Sequence, residues 1–287
     1  MLAIYKRELK AYFHGITGML FIGILLLFAG FMVFTNNLYG LSSSMAYTLY
    51  TSEIILILIV PVLCMRSMAE DRHNKTDMFL LTLPVKTSSI VIGKYLALLT
   101  IYAIPVALLA LYPLILGLYG EINYVTTYTS ILGFLLLGAA LIALCQYLSA
   151  LTESQVIAAV IGIAATFALF SLNTIASFIP SSALASFIGF AVLGIIAGLI
   201  TYFTVRNLYV ALAVGLIIIV PFALIFIFAS DMLKSLFPTV LTLVSPFTAF
   251  ETITTGLFDI AAIGTLISHT VFFVFLTNQS VDKRRWA

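Results

Sequence analysis

Charge is what this sequence has least of. Asp, Glu, Lys and Arg make up only 8% of its 287 residues, against about 25% in a soluble domain. The signs nearly cancel, 13 basic against 11 acidic, which excludes the strongly basic face that a nucleic-acid-binding protein needs. Cysteine is scarce too: Cys64 and Cys145 both lie inside apolar runs, so no disulfide framework is expected. The three histidines, His14, His73 and His269, are far apart in the chain, and no metal cluster is expected from them. No polar tract is long enough for a soluble catalytic domain. What remains is 63% hydrophobic. No water-soluble fold of this length could bury that much apolar surface, so the expected fold class is all-α, a polytopic integral membrane helix bundle in one domain over residues 1–287.

A hydrocarbon core about 30 Å thick takes roughly 20 apolar residues per helix. Runs of that kind predict about eight spans: Gly15–Thr35, Tyr47–Met68, Tyr95–Tyr119, Tyr128–Leu151, Gln155–Phe178, Ala183–Val205, Leu208–Ser230 and Ile260–Asn278. The stretch before the first span is too long and too charged for a signal-peptide n-region, and no small-residue cleavage site follows, so the first span is expected to stay as an anchor. With eight spans, twelve of the thirteen basic residues fall on one side and only Lys234 on the other. The positive-inside rule then puts both termini in the cytoplasm. A span count wrong by one would scatter those charges. The location expected is the plasma membrane.

Most connections are short, and two are long. The cytoplasmic one, residues 66–94, predicts a charged helix–turn–helix elbow: Thr76 can cap a helix with Asp77 in its first turn, Met78, Phe79, Leu81 and Leu83 make it apolar, and Pro84 ends it. Such an elbow reads either as a solvated connector or as a knob that docks a cytoplasmic partner. The outer one, residues 231–259, is apolar but broken by Pro238 and Pro246, which predicts a re-entrant pair of short helices. Residues 1–14 predict an amphipathic interfacial helix, with Ile4, Tyr5, Leu9, Tyr12 and Phe13 near one face and Lys6, Arg7 and Lys10 on the others. It serves either as an anchor in the lipid headgroups or as a brace for the elbow.

The string Glu70-Asp71-Arg72, Thr76-Asp77-Met78-Phe79-Leu80-Leu81-Thr82-Leu83-Pro84-Val85, Ile90-Val91-Ile92-Gly93-Lys94 resembles the cytoplasmic signature of the ABC-2 (type-2) ABC transporter permeases, in particular the gliding-motility-like branch. Leu151–Ala159, Ser245-Pro246-Phe247 through Asp259, and Phe275 through Trp286 are similar to blocks of the same family. Two features depart from its pattern. Lys75 stands where the family usually has Gly, and the family core has six spans, the extra pair here being Ala183–Ser230. The resemblance implies a permease subunit of an ABC exporter, with no cofactor of its own. ATP and Mg²⁺ would be handled by separate ATP-binding cassette subunits, and a second copy or a homologous permease would complete the transporter. It implies that Glu70, Asp71, Thr76, Asp77, Phe79, Leu80, Leu81 and Pro84 couple to the ATPase, with Glu153 and Gln155 in a second cytoplasmic contact.

The residues agree with a borrowed motor. The only Gly-Lys pair, Gly93-Lys94, is followed by Tyr95, and Ser88 stands where a phosphate-cradling loop needs its earlier glycine. An enzyme is therefore not expected. Glu53, Gln146 and Asn173 are the candidate pathway residues: an acid in lipid is costly and so a functional candidate, with an interface acid reaching water as the other reading of Glu53 and a helix–helix hydrogen bond as the other reading of the two amides. Gly194 and Gly198 favour a close helix crossing, within the chain or between copies. An unidentified hydrophobic or amphipathic cargo suits the extra spans. An ion-coupled secondary transporter and a non-transporting scaffold are the rival readings.

Overall fold

The structure is a computed structural model that describes residues 1–76, 86–118, 120–228, 230–256 and 259–285. Among these residues the only regular elements are helices. Their contacts divide the chain into two compact units, Met1–Ala168 with Pro246–Ala287, and Leu169–Ser245. Seven helices among the described residues are long and apolar enough to cross a bilayer. The remaining expected span is helical as well, but Ala183–Leu199 counts only as a shorter apolar helix.

The first unit begins with α1 (Leu2–His14) and α2 (Ile16–Val33), the latter widening into a π-helical turn at Phe34–Tyr39. Then come α3 (Met45–Cys64), the short α4 (Ala69–His73), α5 (Thr87–Leu109), α6 (Tyr112–Leu116), α7 (Tyr124–Leu151) and α8 (Gln155–Phe178), within which the chain passes into the second unit. Local chemistry sets several starts: the Ser44 hydroxyl accepts from Tyr47 N at the head of α3, and the Asn123 side chain accepts from Thr126 N at the head of α7.

Helix α7 is the hub, packing on α3, α5, α13 (Pro246–Thr254) and α14 (Ile260–Arg285). Lipid drives helices together only weakly, so close fit and internal hydrogen bonds must hold them. Three buried side chains tie α7 to α5: Tyr95 donates to the Ala139 carbonyl (3.2 Å), Tyr102 to that of Phe134 (2.6 Å), and Gln146 to that of Val91 (3.1 Å). Gly138 gives the Tyr102 ring its room, because a Cβ there would overlap the ring. Phe134 and Phe250 continue the same aromatic layer, with ring centroids 5.9 Å apart.

Helix α3 meets α8 at a proline. Pro61 has no N–H, so the Ile57 carbonyl one turn earlier loses its helical partner. Thr166 of α8, fully buried, donates to that carbonyl at 3.0 Å. Gly162 lets the helices approach, since a Cβ there would lie 2.9 Å from Pro61.

In the second unit α9 (Ala183–Val205) and α10 (Leu208–Phe228) form a hairpin, followed by α11 (Ser230–Leu233) and α12 (Leu236–Val244). Phe190 stacks on Phe222 with centroids 3.7 Å apart, and Phe237 meets Phe190 edge-on. Gly194 uses its missing side chain within the chain: a Cβ there would lie 2.6 Å from Ile219 of α10. The outer stretch does form short helices, α12 and α13, with Ser245 between them.

A methyl group added at Gly138 has nowhere to go, whereas Gly23 of α2 faces open space. Gly138→Ala is expected to cost about 1–3 kcal/mol through overpacking and to lower Tm in detergent. Gly23→Ala, a helix-propensity gain without a clash, is expected to leave Tm unchanged or raise it.

Candidate functional site: the charged end of the first unit

The polar chemistry of the first unit collects where the end of α3, α4 and the starts of α1 and α5 meet the ends of α7 and α14. Lys94, on the third turn of α5, is only 3% exposed. Its ammonium lies 2.5 Å from Asp71 Oδ2 and 3.5 Å from Glu8 Oε1, and it donates to the Ser67 carbonyl. One cation thus joins α1, α4 and α5. Burying a charge is tolerable only when it is paired and hydrogen-bonded, and Lys94 satisfies both conditions.

The turn from α3 into α4 has its own fastenings. Arg66 grips Glu70 with two parallel bonds, Nε to Oε2 at 2.9 Å and Nη2 to Oε1 at 2.8 Å. The Ser149 hydroxyl of α7 accepts from the backbone N–H groups of Met68 and Ala69 and donates to the Met65 carbonyl. The free N–H groups at the head of α4 are therefore capped from another helix rather than by a neighbour in sequence. Arg72 donates to the Ala150 carbonyl at 3.3 Å and pairs with Glu153 at 3.2 Å. From α14, Arg284 donates to the same carbonyl, and Asp282 accepts from Thr87 at the head of α5.

Helix α1 completes the arrangement. Tyr5 and Thr100 of α5 are hydrogen-bonded at 3.1 Å, Tyr12 donates to the Leu63 carbonyl, and Gly93 admits Met1 and Ile4. Arg7 bonds Glu8 at 2.7 Å, and that bond raises its already high pKa further. A polar cavity of about 330 Å³ opens between α1 and the α3–α4 turn, lined by Arg7, Thr17, Arg66, Glu70, Asp71 and Thr76 among others.

Of the residues expected to couple, Glu70 and Asp71 carry carboxylates committed to Arg66 and Lys94 inside the chain. Thr76 donates to the Asp71 carbonyl (3.2 Å) and carboxylate (2.9 Å). Glu153 is exposed and reaches Arg72, and Gln155 opens α8. Asp77, Phe79, Leu80, Leu81 and Pro84, with the helix expected there, lie outside the described residues. Lys75 adopts φ +56°, a left-handed conformation that suits glycine, the residue that the resemblance leads one to expect at this position.

The pathway candidates fall on different helices. Gln146 is fully buried between α7 and α5 near the charged end. Glu53 lies in the other half of α3, 5% exposed, and Asn173 belongs to the second unit. Lys94 and Ser149 were missed by sequence reasoning. A lysine two turns inside an apolar helix was the available signal for the first, while nothing local distinguishes Ser149 from other helix serines. Among the described residues no group of three or more His, Cys, Asp or Glu side chains gathers.

Removing the Lys94 charge would strand Asp71 and Glu8 in a buried setting. Lys94→Met is expected to destabilise the protein by about 3–5 kcal/mol, read as a fall in Tm, with part of the loss recovered by adding Asp71→Asn. Lys75→Gly relieves a left-handed Cβ at some cost in chain entropy and is expected to raise stability by up to about 1 kcal/mol in the same measurement.

A family model described as ABC-2 family transporter protein matches residues 3–210. The matched region runs from α1 to the first turn of α10 and includes the whole α3–α4 turn. The match speaks for the family and not for its gliding-motility-like branch. No curated protein matches the chain.

Proposed function

The chain belongs to the ABC-2 family of transporter proteins, a membrane permease subunit of an ABC transporter, and from that premise we propose that it works as the exporting half of such a machine. Two ATP-binding cassette subunits supply the ATP hydrolysis, and a second copy of this chain or a homologous permease completes the membrane path. The subunit sits in the plasma membrane with both termini cytoplasmic, in keeping with twelve of thirteen basic residues on one side. Its cargo is hydrophobic or amphipathic.

The observation that carries this proposal is the anchoring of the α3–α4 turn. The segment just before the expected coupling helix is joined to α1 and α5 through Lys94, to α7 through Ser149 and Arg72, and within itself through Arg66 and Glu70. A push on residues 77–84 by an ATPase that closes on ATP would therefore reach several membrane helices at once, instead of being lost in a loose loop. Closely packed contacts of this kind pass small displacements on rather than absorb them. Helix α1 fits the role of brace as well as anchor, since Glu8 shares the Lys94 ammonium.

The test is co-expression with a cognate ATP-binding cassette subunit, followed by co-purification and ATPase assay in nanodiscs. Replacing Asp77, Leu80 and Leu81 together by Ala is expected to abolish association and the stimulated ATP turnover while leaving Tm unchanged. Intact association and turnover in that variant refutes the coupling role.

A further inference from the structure

The 330 Å³ cavity between α1 and the α3–α4 turn takes its wall from three elements: Arg7 on α1, Thr17 on the first turn of α2, and Arg66 just past the end of α3. Its acceptors and donors are unevenly used. Each lining carboxylate is committed within the chain: Glu8 to Arg7 and Lys94, Glu70 to Arg66 through both oxygens, and Asp71 to Lys94 and Thr76. The donors are not. Arg66 spends Nε and Nη2 on Glu70, and its Nη1 bonds no described residue. Arg7 spends Nη2 on Glu8, and its side chain is still 51% exposed. The Thr17 hydroxyl has no hydrogen-bond partner. A Cβ added at Gly15 would lie 3.9 Å from Arg66 Nη1 and 3.8 Å from Thr17 Oγ1, so both atoms stand within 4 Å of one point. An anion with several oxygens can receive from both at ordinary hydrogen-bond lengths.

The cavity also has a definite depth. Helices α2 and α3 are both long and apolar enough to cross a bilayer, and Thr17 and Arg66 stand at the adjoining ends of these two spans, at the level of lipid headgroups. Beside Thr17, Ile16 and Leu20 are 79% and 50% exposed, an apolar flank along which an acyl chain can run. We propose that this cavity binds the phosphate of an anionic phospholipid. The guanidinium fork matches phosphate oxygens in geometry as well as in charge. The headgroup is anionic overall, because the cavity has no uncommitted carboxylate to receive the ammonium of a zwitterionic one. Lys6 and Lys10 on α1 strengthen the attraction for an acidic lipid. Bound there, the phosphate joins α1, α2 and the α3–α4 turn, and it uses the edge of Arg66 that Glu70 leaves free. The site stands apart from the permease reading and does not depend on the cargo.

The experiment titrates the full-length protein in dodecyl maltoside with dioleoyl-phosphatidylglycerol, counting bound lipid by native mass spectrometry. Dioleoyl-phosphatidylcholine, dioleoylglycerol and inorganic phosphate are the comparison ligands. Saturable binding of phosphatidylglycerol is expected, with each comparison ligand at least about tenfold weaker. Arg7→Gln is expected to weaken it about tenfold and Thr17→Val about fivefold. Lys10→Gln, which removes the same charge from α1 outside the cavity, is expected to change it less than about twofold. Both cavity variants leave the Arg66–Glu70 and Lys94 pairs in place, so the Tm of the lipid-free protein is expected to hold. Absence of saturable binding overturns the site, as does unchanged affinity in both cavity variants. Equal affinity for phosphatidylcholine overturns the anionic headgroup. Equal losses in Lys10→Gln and Arg7→Gln reduce the binding to diffuse surface attraction and overturn the cavity. Inorganic phosphate that displaces the lipid at equal concentration assigns the cavity to a free anion and overturns the lipid.

Discussion

A lysine ammonium that is 3% exposed must have anions around it, and the lower architecture of the first unit follows from that requirement. Lys94 draws Asp71 inward from α4 and Glu8 from α1, and takes the Ser67 carbonyl as a third partner. Without this cation α1 would lose its ionic tie to α4 and α5 and keep the Tyr5 and Tyr12 hydrogen bonds, and the α3–α4 turn would be held by α7 and the Arg66–Glu70 pair. With it, three elements share a single buried charge. Cutting one member leaves the others uncompensated, which makes the cluster a rigid junction rather than a set of independent surface pairs.

The same demand operates wherever the bundle is dry. Water is not at hand to take a carbonyl that a proline has released, so Thr166 crosses from α8 to the Ile57 oxygen that Pro61 leaves open. The Val91 carbonyl is met by Gln146, and Tyr95 and Tyr102 carry their hydroxyls to backbone oxygens of α7. These bonds locate the helices along their axes, while Gly138 and Gly162 set how near they come. Polar residues inside this membrane protein are thus mostly joints between helices, in line with the small gain that apolar contact alone offers in lipid.

Much of this was legible in the residues themselves. The scarcity of charge and the lengths of the apolar runs required a helical membrane protein, because hydrocarbon admits no unpaired backbone and little unpaired charge. The spacing of blocks around Glu70–Lys94 pointed to the family. The sequence also placed Asp71, Glu70 and Gln146 among candidate contacts without showing which way they turn. That was decided by packing: Asp71 faces Lys94, Glu70 faces Arg66, and Gln146 is committed to Val91. Ser149 capping α4 and Thr166 answering the Ile57 carbonyl that Pro61 leaves open are likewise contacts between residues from 80 to 109 positions apart in the chain. Hydropathy records which segments leave water, but the partner of each polar atom is fixed only when helices choose their neighbours and their register, and that choice belongs to the tertiary structure.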